Sequence, residues 1–319
     1  MKLARGKRKD YPLLSFSNSS LENYCSVMMG LKSGVNLAEI FLLEFLSAKP
    51  PSLLQVTIFF VTWVCLWLPI AVASTIILQK NKDTSASWQP FKPISAEQKL
   101  PLLASLYLMA PVVLWGANKI FGNCWSSYGL VWNWSILQSL AIGFVIGATG
   151  LAILFGLQTL LGWVKWDVAG KKIISVTLPI LLLAVGISAI EELIFRGFVL
   201  TQLQQDFSIY IAAAIASLIF AVLHLVWEQK ETLPQLPGLW LMGMVLVLAR
   251  YVDKGNLGLA WGLHSGLVWA IATIDTAELI TYTGKAPQLV TGKYGKPLAG
   301  LTGISFLLAI GAVLLLGLQ

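Results

Sequence analysis

Charge is scarce in this chain. Of its 319 residues only 12% are Asp, Glu, Lys or Arg while 57% are hydrophobic, and the mean hydropathy is +0.76. An ordinary soluble domain carries about 25% charged residues, so that class is excluded. Cysteine is sparse too: Cys25, Cys65 and Cys124 are too few and too scattered for a disulfide framework or a zinc cluster, and Cys65, in an apolar run, is expected in the core. The sequence has no HExxH, no internal repeat and no low-complexity tract. The basic residues behind the net charge of +7 are spread over short loops and an N-terminal arm. They form no single stripe, so nucleic acid is not an expected partner, and they are read as topology signals and lipid-headgroup contacts. Lys119, Arg250 and Lys254 fall on one side with the arm, but the other side carries about as many, so the count does not orient the chain.

Long apolar runs are what the sequence has in abundance. Without dyad alternation they favour helices over a barrel, since only those two satisfy the backbone in lipid. The expected fold is an all-α, polytopic transmembrane bundle of about eight spans, each near the roughly 20 residues a bilayer requires. They lie at about 54–78, 101–117, 135–161, 173–200, 208–227, 236–252, 256–275 and 299–318. Trp125, Trp132, Trp134, Trp163, Trp166 and Trp227 stand where spans begin or end, as an interfacial belt.

Four segments follow. Residues 1–52 form an arm whose "MKLARGKRKD" start is followed by polar residues, so no cleaved signal is expected. Within it "NLAEIFLLEFLSA" reads equally as an interfacial amphipathic helix or as a helix packed on the bundle. Residues 53–172 hold accessory spans, 173–275 the core of four helices that carries the motifs, and 276–319 a Gly/Pro-rich link with the last span.

The stretch "SAIEELIFRGF", 188–198, sets three charges into the fourth span. Each costs roughly 2.5 to 3.5 kcal/mol at mid-membrane, so they must be paired or face water, unless they lie at headgroup level where Arg snorkels. Glu192 and Arg196 are four apart and share a helix face, whereas Glu191 is rotated about 100° away. One glutamate is thus neutralised locally and the other left for chemistry. The two histidines of the chain, His224 and His264, both lie in apolar spans. A single buried imidazole is usually a hydrogen-bonded core residue. Two beside an intramembrane Glu pair supply the parts of a hydrolytic site, in which a carboxylate takes a proton from water and imidazoles hold that water, stabilise an oxyanion or bind a metal. Gly258, Gly262 and Gly266 give the seventh span a ridge for close helix approach.

These motifs resemble the CPBP intramembrane proteases, which include the type II CAAX prenyl endopeptidases and proteins linked to bacteriocin processing or immunity. "EELIFR" at 191–196 is similar to their EExxxR, "FAVLH" at 220–224 to their FxxxH, and "HSGLV" at 264–268 stands where HxxxN/D is found. The resemblance implies that Glu191 is the general base, that Glu192 and Arg196 are its supporting pair, and that His224 and His264 bind or polarise the water and the oxyanion. Phe220 would shape the pocket. The departure is Val268 in place of Asn or Asp, which removes a hydrogen-bond partner and about 10²- to 10³-fold in rate if that partner is an oxyanion donor. Ser265 and Trp269 are the candidate replacements, and Glu228 is a candidate to orient His224.

His224, His264 and Glu191 also make a candidate zinc set with an open fourth position. A ligating Glu191 could not serve freely as base, and the resemblance favours a metal-free mechanism. The implied function is an intramembrane endopeptidase cutting a membrane-associated, CAAX-type substrate. Its partners would be membrane lipid and a peptide that reaches the membrane. The alternatives are a catalytically weak binding or immunity factor on the same scaffold, which Val268 favours, and an ion-coupled transporter, against which the lack of an inverted repeat argues.

Overall fold

The computed structural model describes residues 50–80, 96–168, 173–226 and 229–317. The N-terminal arm to residue 49 with its expected interfacial helix, Cys25, Trp227 and Glu228 lie outside them. Each of the eight apolar runs contains a helix. In chain order these are α1 (Ser52–Lys80), α2 (Ala96–Phe121), α3 (Trp134–Leu160), α4 (Ile173–Glu192) prolonged by a π-helical turn (Leu193–Val199) and α5 (Leu200–Leu203), α6 (Ile209–Leu223), a short α7 (Gln229–Thr232), α8 (Leu236–Val252) and α9 (Gly258–Thr276). After a second short helix, α10 (Gln288–Thr291), the last is α11 (Leu301–Leu316). The protein is an all-α, multi-pass integral membrane protein.

Six helical segments among the described residues are long and apolar enough to cross a membrane. The other two runs fall short of the expectation for physical reasons. α11 has 16 residues, and at about 1.5 Å each it reaches only about 24 Å. α9 has 19 residues, but its apolar positions are diluted by glycines, His264, Ser265 and Asp275. It is the central helix of the bundle, and His264, Ser265 and Thr273 are buried in it, while Asp275 near its end is exposed.

α3 and α9 run parallel, tied at both ends. At one end Leu257 donates its N–H to the Gly129 carbonyl at 3.0 Å and Ser139 Oγ donates to Asp253 at 2.8 Å. At the other, β1 (Val164–Trp166) pairs antiparallel with β2 (Ile280–Tyr282). Asn133 starts α3 by accepting the Ile136 N–H at 3.2 Å, an N-cap that satisfies one orphan donor. Between the ends the glycine ridge of α9 lies on the backbone of α3: a Cβ on Gly258, Gly262 or Gly266 would come within 2.6, 2.0 or 2.4 Å of the carbonyl oxygens of Ile136, Leu140 and Phe144. Gly143 and Gly147 answer from α3, each where a Cβ would strike a carbonyl of α9. Small residues on both helices allow this approach.

On its opposite side α9 packs antiparallel to α4, with the Trp261 and Trp269 indoles donating to the carbonyls of Val185 and Thr177 at 2.8 and 3.2 Å. α1 and α2 form a hairpin outside this core, joined by Trp63 Nε1 donating to the Leu106 carbonyl and Trp67 Nε1 to Ser105 Oγ, both at 3.0 Å. The hairpin reaches the core through Phe59, whose ring centroid lies 4.5 Å from that of Phe198. Cys65 is exposed on α1 and not in the core as expected, because α1 buries only the face that carries Val56, Phe59 and Trp63. Trp132 and Trp134, at the start of α3, are exposed as an interfacial pair should be.

Candidate active site

The motif 191–196 does not sit on a uniform α-helix. α4 ends at Glu192, and the next seven residues form the π turn, so the two glutamates and Arg196 lie across the junction. Single π turns inside helices are frequent at functional sites. A guanidinium supports this one: Arg250 of α8 donates Nη1 to the Arg196 carbonyl, Nη2 to the Ser127 carbonyl at 3.2 Å and Nε to the Gly255 carbonyl at 3.0 Å. The expectation that Arg250 is a loop charge setting topology is thereby corrected. It is buried, and its charge is spent on main-chain acceptors.

The structure brings Glu191, Glu192, Arg196 and His264 into one cluster. Their exposures are 7%, 0%, 1% and 2%. Glu192 Oε1 accepts from Arg196 Nη1 at 2.9 Å and from His264 Nδ1 at 2.7 Å. The guanidinium continues to the Gly243 carbonyl at 3.3 Å and lies 4.4 Å over the ring of Phe220. A buried charge needs such compensation, and here a carboxylate, a carbonyl and an aromatic face share it. With Nδ1 given to Glu192, His264 turns Nε2 toward Glu191 Oε2 at 3.4 Å.

Glu191 points away from Arg196, as helical geometry requires. It is not left unpaired, however, because its Oε1 accepts the hydroxyl of Tyr107 from α2. Sequence reasoning missed this residue. The available signal was position: Tyr107 is the tyrosine set deep inside an apolar run, whereas Tyr210 and Tyr251 sit at the ends of theirs, where phenols ordinarily belong.

His224 is half-buried at the C-cap of α6, with Nδ1 2.7 Å from the Phe220 carbonyl. An acceptor there places the hydrogen on Nδ1 and leaves Nε2 as a lone pair. The Phe220 ring packs edge-on against both histidines, with centroids 4.5 Å from His224 and 5.9 Å from His264. Val268 is partly buried on α9. Neither candidate replacement is available: Ser265 Oγ donates to the Trp261 carbonyl at 2.7 Å and Trp269 Nε1 to that of Thr177 at 3.2 Å. Among the described residues no three His, Cys, Asp or Glu side chains are grouped to hold a metal ion. The set His224, His264 and Glu191 is therefore not gathered around a common point. Both ring nitrogens of His264 face glutamates, and the partner of His224 Nδ1 is the Phe220 carbonyl.

Fold and site together define a multi-pass membrane protein with a carboxylate–imidazole cluster buried among its helices. Residues 173–270 match the family model of the Rce1-like type II CAAX prenyl endopeptidases. That segment, less than a third of the chain, is a domain of the CPBP intramembrane protease family, and the match supports CAAX-type intramembrane endopeptidase activity in general. It contains both glutamates, Arg196, Phe220, both histidines and Val268, and leaves out α1, α2 and α3. No curated protein and no solved structure matches the chain.

Proposed function

We propose that the protein hydrolyses a peptide bond in a membrane-associated substrate of the CAAX type, with Glu191 as general base. The observation that carries this reading is the chain Arg196–Glu192–His264, which turns the imidazole so that Nε2 faces Glu191 Oε2 at 3.4 Å. A water at this carboxylate gives a proton to Glu191, and its oxygen attacks the scissile carbonyl carbon. His264, held on Glu192 through Nδ1, turns Nε2 to where the oxyanion develops. When the intermediate collapses the C–N bond breaks and Glu191 returns its proton to the leaving amine. Burial excludes bulk water and strengthens each interaction. The partners in this reading are the bilayer and a substrate peptide. No step requires a metal.

The test is cleavage of farnesylated and unprenylated CAAX-terminated peptides by the full chain in liposomes. Glu191→Gln should lower the rate by about 10²- to 10⁴-fold, the range for a general base, and a chelator should leave it unchanged. Undiminished cleavage by the variant would sink the assignment. Val268 favours a second reading, a binding factor on the same scaffold, because Ser265 and Trp269 are committed elsewhere. That reading expects no cleavage by the native chain and cleavage by Val268→Asn.

A further inference from the structure

The π turn, both histidines and both glutamates lie in the matched segment, whereas the hydroxyl on Glu191 comes from outside it. Three consecutive residues of α2 are engaged by different helices. Ser105 Oγ accepts from Trp67 and the Leu106 carbonyl accepts from Trp63, both on α1, while Tyr107 donates to Glu191 on α4. The turn that follows carries Pro111, which has no N–H for the Tyr107 carbonyl four residues back. This part of α2 is thus held by its neighbours where its own ladder lacks a rung. Opposite it, Phe59 and Phe60 of α1 pack on Phe198 and Phe195 of the π turn, with centroids 4.5 and 6.2 Å apart. The hairpin therefore grips the catalytic segment at two places, by ring packing on the π turn and by a hydrogen bond on Glu191.

We propose that Tyr107 is a positioning residue of the reaction: its hydroxyl pins Oε1 of Glu191 so that Oε2 is the oxygen presented to water and to His264. Resting on the general-base reading above, this extends the site to the α1–α2 hairpin. A carboxylate free to rotate would offer either oxygen and only part of the time the productive one. The phenol removes that freedom and, as a donor to an ionised group, favours the form that accepts a proton. It acts through Glu191 and forms no bond to the substrate.

The experiment uses the full chain in liposomes with a farnesylated CAAX-terminated peptide and compares the native protein with Tyr107→Phe, which keeps the ring and removes the donor. The expected result is a fall in kcat of about 10- to 100-fold, the weight of a hydrogen bond to a charged group, with KM within about twofold. The acid limb of the rate–pH profile should move to higher pH. A 3-fluorotyrosine at position 107, a stronger donor, should move that limb the opposite way. It also serves as the second variant if Phe proves unstable. A readout independent of turnover is the phenol C–O infrared band of Tyr107, isolated by subtracting the Tyr107→Phe spectrum, which should shift in Glu191→Gln. An unshifted band, or an unchanged kcat with an unmoved acid limb, overturns the proposal. Absence of cleavage by the native chain together with a shifted band overturns the protease reading and with it the role of Tyr107 in a reaction, leaving only the contact.

Discussion

Arg196 is the residue on which the cluster turns, because it is the cation that accompanies Glu192 at 1% exposure. Removing one partner of a buried pair leaves the other charge uncompensated, at a cost of about 3 to 5 kcal/mol. Arg196→Met should therefore lower thermal stability sharply in detergent, and Glu192→Gln added to it should recover part of the loss. Strictly additive losses in the double variant would mean that the two do not compensate each other. This pair was readable from the sequence, since i,i+4 spacing on a helix is local. Tyr107 and Arg250 were not, because each meets its partner only after helices distant in sequence have packed. Hydropathy treats the first as part of a span and the second as a loop charge. Val268 was visible as a departure from a motif. Which neighbours could replace its hydrogen bond was decided by carbonyls on Trp261 and Thr177 that no spacing rule exposes.

At the scale of elements, the contact between α3 and α9 places His264: two residues from Gly262 and from Gly266, and so about 200° round the helix from each, the imidazole leaves the glycine ridge and meets Glu191 and Glu192 of α4. Gly262→Ala puts a methyl where 2.0 Å separates it from the Leu140 carbonyl oxygen, an atom of rigid helix backbone. Overpacking of this kind costs about 1 to 3 kcal/mol. The expected outcome is a lowered unfolding temperature with reduced cleavage, whereas Gly116→Ala, which meets nothing within 4 Å, should be silent. Equal stability of the two variants would show that the helices separate easily. The four-residue glycine spacing announced a close approach, and the structure supplies the partner helix and the parallel sense. The helices themselves were legible from apolar length, but the widening of α4 after Glu192 was not, because a π turn has no hydropathy signature.

For the molecule as a whole, the described part of the chain begins beside the helix that carries the two glutamates and Arg196. The Ser52 N–H at the start of α1 donates to Asp206 Oδ2 at 2.6 Å, just beyond α5. The backbone bond from Ser52 is the largest cause that holds the Asp206 carboxyl below its ordinary value. A carboxyl lowered on folding contributes stability above its unfolded value, about pH 4, and that contribution is lost as pH falls through the lower folded value. The packing of α1 should therefore loosen only below about pH 4, and Asp206→Asn should remove that part of the pH dependence. Limited proteolysis of the liposome-bound chain across this pH range checks it, and identical profiles for the two proteins would rule the contact out as an anchor. Because α1 also holds the turn that carries Tyr107, weakening at one surface of the bundle is expected to reach Glu191 through Trp63 and Trp67.

The π turn at Leu193–Val199 also fixes the phase of everything around it. Each residue advances an α-helix by about 100°, so a segment that spends an extra residue on one turn resets which faces point inward on its two sides. Glu191 and Glu192 face Tyr107 and His264 on one side of the turn, while Leu200 and Leu203 enter the core on the other. A single-residue deletion there would preserve composition, hydropathy and helix while turning one of those faces to lipid. Chain length in this stretch is thus as much a specification of the site as the identity of its side chains.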